Sequence, residues 1–101
     1  MIRLTETAEA DLADIWLHIA MASSEERATR YIRSVQTALM RLEEFPLSGP
    51  PRDHLAAGLR TLLHGSYAAY YLFSGEDIVV VRVVHGARDL DALAASDGFG
   101  S

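Results

Sequence analysis

The stretch Gly58–His85, GLRTLLHGSYAAYYLFSGEDIVVVRVVH, decides the fold. Its apolar residues either alternate with polar ones or run without interruption, a pattern typical of β-strands. Turn-forming residues divide the stretch at His64-Gly65 and again at Ser74–Asp77. The stretch therefore predicts three strands joined by two tight hairpins, and so an antiparallel sheet.

Two helices are predicted upstream of this stretch. In Thr5–Ala20, TETAEADLADIWLHIA, apolar residues recur every three or four positions behind a threonine that is a favourable N-cap. A second periodic segment opens on the capping-box pair Ser23 and Glu26. It must end near Phe45, because the residue before a proline is pushed out of helical geometry. The connection between the two predicted helices is short, so they are expected to form an antiparallel hairpin.

The opening residues MIRL alternate as a short strand. The sequence therefore predicts an α+β fold, in which a short N-terminal strand and an antiparallel helical hairpin accompany a small antiparallel sheet, with the hairpin packed on one face of that sheet. Residues 1–95 are expected to form a single domain, and residues 96–101 a disordered tail.

Composition excludes several classes of function. The chain has 101 residues, 50% of them hydrophobic, and no cysteine, so disulfides, thiolate metal sites and cysteine nucleophiles are excluded. The net charge is −5 and all nine basic residues are arginine, which disfavours direct nucleic-acid binding. The four histidines lack metal-ligand spacing, and neither a cofactor nor a metal is predicted. No membrane-crossing or targeting segment is recognisable, and the expected location is the cytoplasm.

A possible binding surface follows from the alternation in the last strand. Val79, Val81 and Val83 form the more apolar set and are predicted to lie under the helices together with His85. The open side of the sheet would then carry Arg82. The other residues predicted on that side are Arg60, Leu62, Ile78, Val80 and Val84. An uncovered face this apolar exceeds what a monomer usually exposes, so another chain is expected to cover it.

The arginines of this strand region have two interpretations. Arg82 and Arg60 either form structural ion pairs, with Asp89 or Asp53 as partners, or bind another molecule. The acidic residues of the first helix have no basic partner in the helix and are interpreted as a solvated face; they are Glu6, Glu9, Asp11 and Asp14. Tyr70 is adjacent to Tyr71, so one of the two rings is expected on the open side.

The order of several short motifs resembles the ParE branch of the ParE/RelE superfamily of bacterial toxins. The motifs are DL..IW..IA, L..FP..G, GLR.L and V..V.HGARD, and the resemblance runs from about Leu4 to Leu93. It implies a helical hairpin on an antiparallel sheet, in agreement with the fold predicted above. It also implies an antitoxin partner, of the ParD type or another small antitoxin, that covers the exposed sheet.

The two branches of this superfamily imply different activities. ParE toxins act on DNA gyrase, whereas RelE toxins cleave messenger RNA on the ribosome. RNA cleavage needs a general base, a general acid and cations, which RelE-like enzymes take from lysine, arginine and often a C-terminal tyrosine. This chain has no lysine, and no tyrosine follows Arg88. The non-nucleolytic branch is therefore favoured, and the nuclease is retained as the alternative.

A third hypothesis is a non-toxic module that binds an antitoxin and serves as a corepressor. For the toxin hypothesis, the residues predicted to contact antitoxin or target are Arg60, Leu62, Tyr70, Arg82, His85 and Arg88. No catalytic residue is predicted, and the expected assembly is a hetero-oligomer with the antitoxin.

Overall fold

A computed structural model describes residues 1–86. Its elements, in chain order, are β1 (Ile2–Leu4), α1 (Glu6–Ala22), α2 (Glu25–Met40), a short 3₁₀ helix (Arg41–Glu43), β2 (Arg60–His64), β3 (Tyr67–Ser74) and β4 (Asp77–His85). The predicted elements of this part of the chain, and the α+β fold that they build, are confirmed. No helix within residues 1–86 is long and apolar enough to cross a membrane.

The strands form one sheet in the order β1-β4-β3-β2. β2, β3 and β4 are consecutive antiparallel hairpins, as predicted. β1, however, pairs in parallel with β4, so the sheet is mixed rather than fully antiparallel. Parallel strands need a long connection, and here the two helices and strands β2 and β3 lie between β1 and β4 in the chain. After this connection β4 runs in the same direction as β1.

The helical hairpin is fixed at its caps and at one cross-link between the helices. The Thr5 hydroxyl accepts the backbone N–H of Ala8 at the start of α1, as expected of an N-cap. The N-cap of α2 is Ser24, not the predicted Ser23, because the Ser24 side chain is the one that accepts a backbone N–H in the first turn. The indole N–H of Trp16 donates to the Thr29 hydroxyl at 3.1 Å and ties α1 to α2.

β4 contains a β-bulge at Val81. Tyr70 of β3 lies opposite Arg82 and Tyr71 lies opposite Val80, so β4 has one extra residue between these pairs. The β4 residues buried beneath the helices are Ile78, Val80 and Val83. The side of the sheet was therefore predicted correctly for Val83. It was predicted wrongly for Ile78 and Val80, which lie beneath the helices, and for Val81, which packs on the other face, because strict alternation counted back from Val83 crosses the bulge.

The second face of the sheet is also covered. The segment 52–58 folds back against it, and Arg52 N–H donates to the carbonyl of Leu59 at 2.6 Å. Buried on this face are Leu59, Ala68 and Tyr70, with Leu55, Ala56, Leu72, Val81 and Val84 packed against them. The prediction of a bare apolar face is wrong, because the long connection between α2 and β2 supplies its own cover.

Candidate interaction surface

Arg82 is engaged within the protein. Its guanidinium donates to both carboxylate oxygens of Asp11 in α1, from Nε at 2.8 Å and from Nη2 at 3.1 Å. The two side chains are only 18% and 13% exposed. The hydrogen bond to Asp11 raises the pKa of Arg82, with burial acting in the opposite direction. The ion-pair interpretation of Arg82 is correct, and its partner among the described residues is Asp11 instead of the predicted Asp53; Asp89 lies outside the described residues.

The position of this pair follows from where β1 stops. β1 pairs with β4 only as far as Val80, and the first turns of α1 occupy the β4 edge beyond that point. The Thr5 hydroxyl donates to the carbonyl of Val81 at 3.0 Å, and Asp11 Oδ2 accepts the N–H of Val83 at 2.9 Å. The Asp11 carboxylate therefore accepts hydrogen bonds both from the edge of β4 and from the Arg82 guanidinium. Its assignment to a solvated acidic face was wrong.

Arg60 is likewise held by the chain's own backbone. It lies opposite Tyr71 on the helix side of the sheet, not on the open side as predicted. Its Nη1 donates to the carbonyls of Leu47 at 3.1 Å and Gly49 at 2.7 Å. Arg60 thus fastens the loop that follows the 3₁₀ helix.

Tyr71 fastens the same loop from inside the core. Its fully buried hydroxyl donates to the carbonyl of Pro46 at 2.9 Å and accepts the N–H of Gly49 at 3.0 Å. A Cβ at Gly49 would collide with the Thr61 carbonyl oxygen and the Tyr71 hydroxyl. The loop is therefore pinned at a position that only glycine fits, and this fixes the residues on either side of it.

The pinned loop and β2 enclose a groove on the helix side of the sheet edge. Its volume is about 300 Å³. We call it the β2 groove, and its lining residues are Ala38, Arg41, Leu42, Phe45, Ser48, Leu62, Leu63 and His64. Phe45 at its rim is 62% exposed, and the nearby Leu47 is 60% exposed. Leu63 also borders the groove but pairs with Ala68 of the second face, so its side chain, 67% exposed, lies on the other side of the β2 edge. Leu62, predicted on the open side, lines this groove instead.

Aromatic rings extend the surface from the β2 groove across the sheet. His64, Tyr67 and His85 are cross-strand neighbours on three adjacent strands. The ring of Tyr67 lies 5.4 Å from that of His85 and 5.7 Å from that of Tyr31 in α2. His85 lies on the helix side of the sheet, as predicted, but it is exposed rather than covered by the helices.

The contact between Ser34 and His64 does not resemble a nucleophile–base pair. The Ser34 hydroxyl donates its hydrogen to the Tyr31 carbonyl at 2.6 Å, and the 2.8 Å contact to Nε2 of His64 therefore requires the imidazole to be the donor. The Tyr31 hydroxyl donates in turn to the His64 carbonyl at 2.6 Å. Burial, and to a lesser extent Tyr67, raises the pKa of Tyr31. These contacts hold the rings in place and leave no base beside the serine.

One predicted contact residue lies elsewhere. Tyr70 is on the second face and only 2% exposed, so its predicted place on an open surface is wrong. Burial raises its pKa, opposed by the side chain of Thr61 and the positive charge of Arg52. Arg88 lies outside the described residues. Among residues 1–86 no group of three or more histidine or acidic side chains is arranged to hold a metal ion.

The structure therefore does not assemble the predicted contact residues on one surface. Leu62 and His85 lie on the helix side near the β2 groove, whereas Arg60, Tyr70 and Arg82 stabilise the protein's own loop, second face and strand edge. Sequence reasoning missed the groove residues Phe45, Leu63 and His64. One signal was available for Phe45, a large apolar residue within a turn-rich segment where no strand or helix could bury it.

Comparison with known proteins assigns the fold to a family. Residues 2–90 match the family model described as "ParE toxin of type II toxin-antitoxin system, parDE". The chain is 35% identical over 90 residues to Toxin ParE1 of Caulobacter vibrioides, covering 89% of this chain and 93% of that protein. It is 34% identical over 89 residues to Toxin ParE1 of Mycobacterium tuberculosis, covering 87% and 91%. The predicted resemblance is confirmed.

Two solved structures share the fold. A chain from the chromosomal ParDE system of P. aeruginosa superimposes with a TM-score of 0.73 at 23% identity, covering 83% of this chain and 92% of that one. A chain from the toxin–antitoxin complex RelBE2 of Mycobacterium tuberculosis superimposes with a TM-score of 0.59 at 28% identity, covering 84% and 95%. The arrangement of helices and sheet in this chain is therefore shared with a chain from each of these two systems.

Proposed function

This chain belongs to the ParE toxin family of type II toxin–antitoxin systems, and from that premise we propose that it acts in the cytoplasm by binding a target protein rather than by catalysis. The proposed target is DNA gyrase, and the proposed neutralising partner is a ParD-like antitoxin. The observation that carries the proposal is the β2 groove, a largely apolar recess beside a sheet edge, with exposed Phe45 at its rim and exposed Leu63 on that edge.

The β2 groove has the properties of a surface for a protein segment. When a partner covers exposed apolar side chains, the complex is stabilised by about 25 cal/mol for each Å² of apolar surface removed from water. β2 is the terminal strand of the sheet, and part of its outer edge is occupied by the chain itself, where Thr61 N–H donates to the Pro50 carbonyl. Leu63, two residues further along, presents both an exposed side chain and a strand edge to a partner.

The contacts that Arg60 and Arg82 make within the protein support a function in protein binding rather than in RNA cleavage. Cleavage would need guanidinium groups that are available to the developing phosphorane charge. In the described residues Arg82 is paired with Asp11, and Arg60 donates to two backbone carbonyls. The Ser34–His64 contact supplies no general base. A nuclease that used these two arginines would therefore require them to leave contacts that hold the fold.

Inducible expression without antitoxin tests the proposed function. The expected result is growth arrest with filamentation, together with loss of supercoiling when purified gyrase is incubated with the purified chain. Co-expression of the cognate antitoxin should restore growth. Rapid translation arrest, with message ends mapped at defined codon positions on ribosomes, would instead establish the nuclease. Normal growth combined with a tight antitoxin complex would establish a non-toxic corepressor module.

A further inference from the structure

Exposed arginines lie along the outward side of α2 and the 3₁₀ helix that continues it. We call them the arginine row, which consists of Arg27, Arg30, Arg33 and Arg41. Arg30, Arg33 and Arg41 point in similar directions, because residues 3, 8 and 11 positions apart return to nearly the same side of a helix. The buried residues of α2 lie on the opposite side. At about 1.5 Å per residue, the arginine row is roughly 21 Å long.

The arginine row is not neutralised by the described part of the chain. The sequence from 27 to 42 contains four arginines and no acid, although the net charge of the whole chain is −5. Within residues 1–86, none of the four guanidinium groups forms an ion pair with an acidic side chain. Like charges one turn apart repel each other weakly, and acids between them would relieve the repulsion. The row therefore offers its positive charge to a partner.

Acids bound the arginine row at both ends. Glu25 and Glu26 precede it, and Glu43 and Glu44 follow it. Glu43 pairs with the terminal amine of Met1 at 3.3 Å. A nucleic acid carries phosphates along its whole length and would meet these acids at both ends of the row. A short acidic peptide segment can end within the row, so the charge pattern favours peptide carboxylates over a nucleic acid.

The arginine row leads into the β2 groove. Arg41 belongs to both, and among the described residues that line the groove there is no acid. Exposed apolar side chains lie at the same end of the row. Met40, 63% exposed, precedes Arg41, and Phe45, 62% exposed, stands at the rim of the groove. A segment that fits both surfaces therefore has apolar residues at one end and carboxylates beyond them.

We propose that the arginine row binds an acidic, amphipathic segment of the partner protein that occupies the β2 groove. This inference rests on the proposed function of the groove. The apolar side chains of the segment enter the groove, and its carboxylates meet Arg33 and Arg41. A guanidinium can form two parallel hydrogen bonds with a carboxylate, which orients the segment. Exposed charges mainly accelerate association, so the row acts chiefly on the association rate and on its dependence on salt.

A fluorescent peptide made only of glutamate, about ten residues long, tests the charge preference without the partner. It is titrated with the full-length chain at about 50 and about 300 mM salt, beside a short DNA duplex. The peptide should bind at low salt, more tightly than the DNA, and be released at high salt. Arg33→Glu should weaken binding at least fivefold. Arg3→Glu is the matched control, because it makes the same charge change at an exposed arginine in β1, at the opposite edge of the sheet from β2. No peptide binding, equal weakening by both variants, or tighter binding of DNA would overturn the proposal.

Stopped-flow association with the cognate antitoxin separates this inference from the proposed function. Arg33→Glu should slow association at least fivefold at low salt and much less at high salt, whereas Arg3→Glu should associate at the natural rate. Circular dichroism verifies that both variants fold. An antitoxin that binds the groove but associates equally fast with both variants would contradict the role of the arginine row and leave the proposed function intact. Absence of any antitoxin complex would contradict the proposed function, and the peptide titration would then decide what the row binds.

Discussion

Asp11 and Arg82, 71 residues apart in the chain, form a two-pronged ion pair in which the carboxylate also accepts the backbone N–H of Val83. The pair joins the second turn of α1 to β4 just after the bulge at Val81. β1 pairs with β4 only up to Val80, and beyond that residue the Asp11 carboxylate accepts a hydrogen bond that a neighbouring strand would otherwise accept. An arginine inside a run of valines is therefore explained by the packing of this chain alone.

Asp11→Ala should lower the free energy of unfolding by about 2–4 kcal/mol, because it removes the carboxylate that accepts hydrogen bonds from a mostly buried guanidinium and from a strand N–H. Urea denaturation of both proteins measures the difference. Asp14→Ala is the matched control, since Asp14 is an exposed acid one turn further along the same helix. Its effect should stay within about 0.5 kcal/mol. Equal effects of the two substitutions would show that the Asp11–Arg82 pair contributes nothing special to stability.

Gly49→Ala should destabilise the protein by more than about 3 kcal/mol or prevent folding. The added methyl group would displace the Thr61 carbonyl or the Tyr71 hydroxyl, and with it the hydrogen bonds that pin the loop. Thermal unfolding monitored by circular dichroism measures the effect. Ser48→Ala, at the exposed neighbouring position, should leave the midpoint nearly unchanged. A Gly49→Ala protein of normal stability would contradict the described loop.

Alkaline stability should depend on Tyr70. Burial raises the pKa of Tyr70 above its ordinary value of 10.0, so the folded state holds this proton more tightly than the unfolded state does. The stabilising contribution is complete below the unfolded pKa and is lost as the pH rises through the folded pKa. Tyr70→Phe should therefore lose less free energy of unfolding than the natural protein as the pH is raised above about 10, the unfolded pKa of tyrosine. The same pH dependence in both proteins would assign the loss to other groups.

The sequence was sufficient to predict what depends on local periodicity. The two helices were readable because their apolar residues recur along one side, and the hairpins because Gly65 and Gly75 sit in the turns with positive φ angles of 57° and 62°. The parallel pairing of β1 was not readable, because it depends on how the helical hairpin returns the chain to the sheet.

The arrangement of the surface was less predictable, for two physical reasons. A bulge at one residue, Val81, exchanges inward and outward positions on either side of it, and nothing in a run of valines marks where it lies. The partners of Arg82 and Arg60 are an acid 71 residues away and the carbonyls of an irregular loop. Such contacts follow from the finished packing of several elements rather than from any local pattern.

The proposed role of the β2 groove is tested most directly by the affinity of the cognate antitoxin for groove variants, measured by isothermal titration. The double variant Phe45→Ser/Leu63→Ser removes one exposed apolar group at the rim and one on the β2 edge, and Phe73→Ser removes an apolar group, 41% exposed, near the opposite end of β3. The account predicts that the double variant binds about 100-fold or more weakly while Phe73→Ser binds normally. Unchanged affinity of a folded double variant would contradict it.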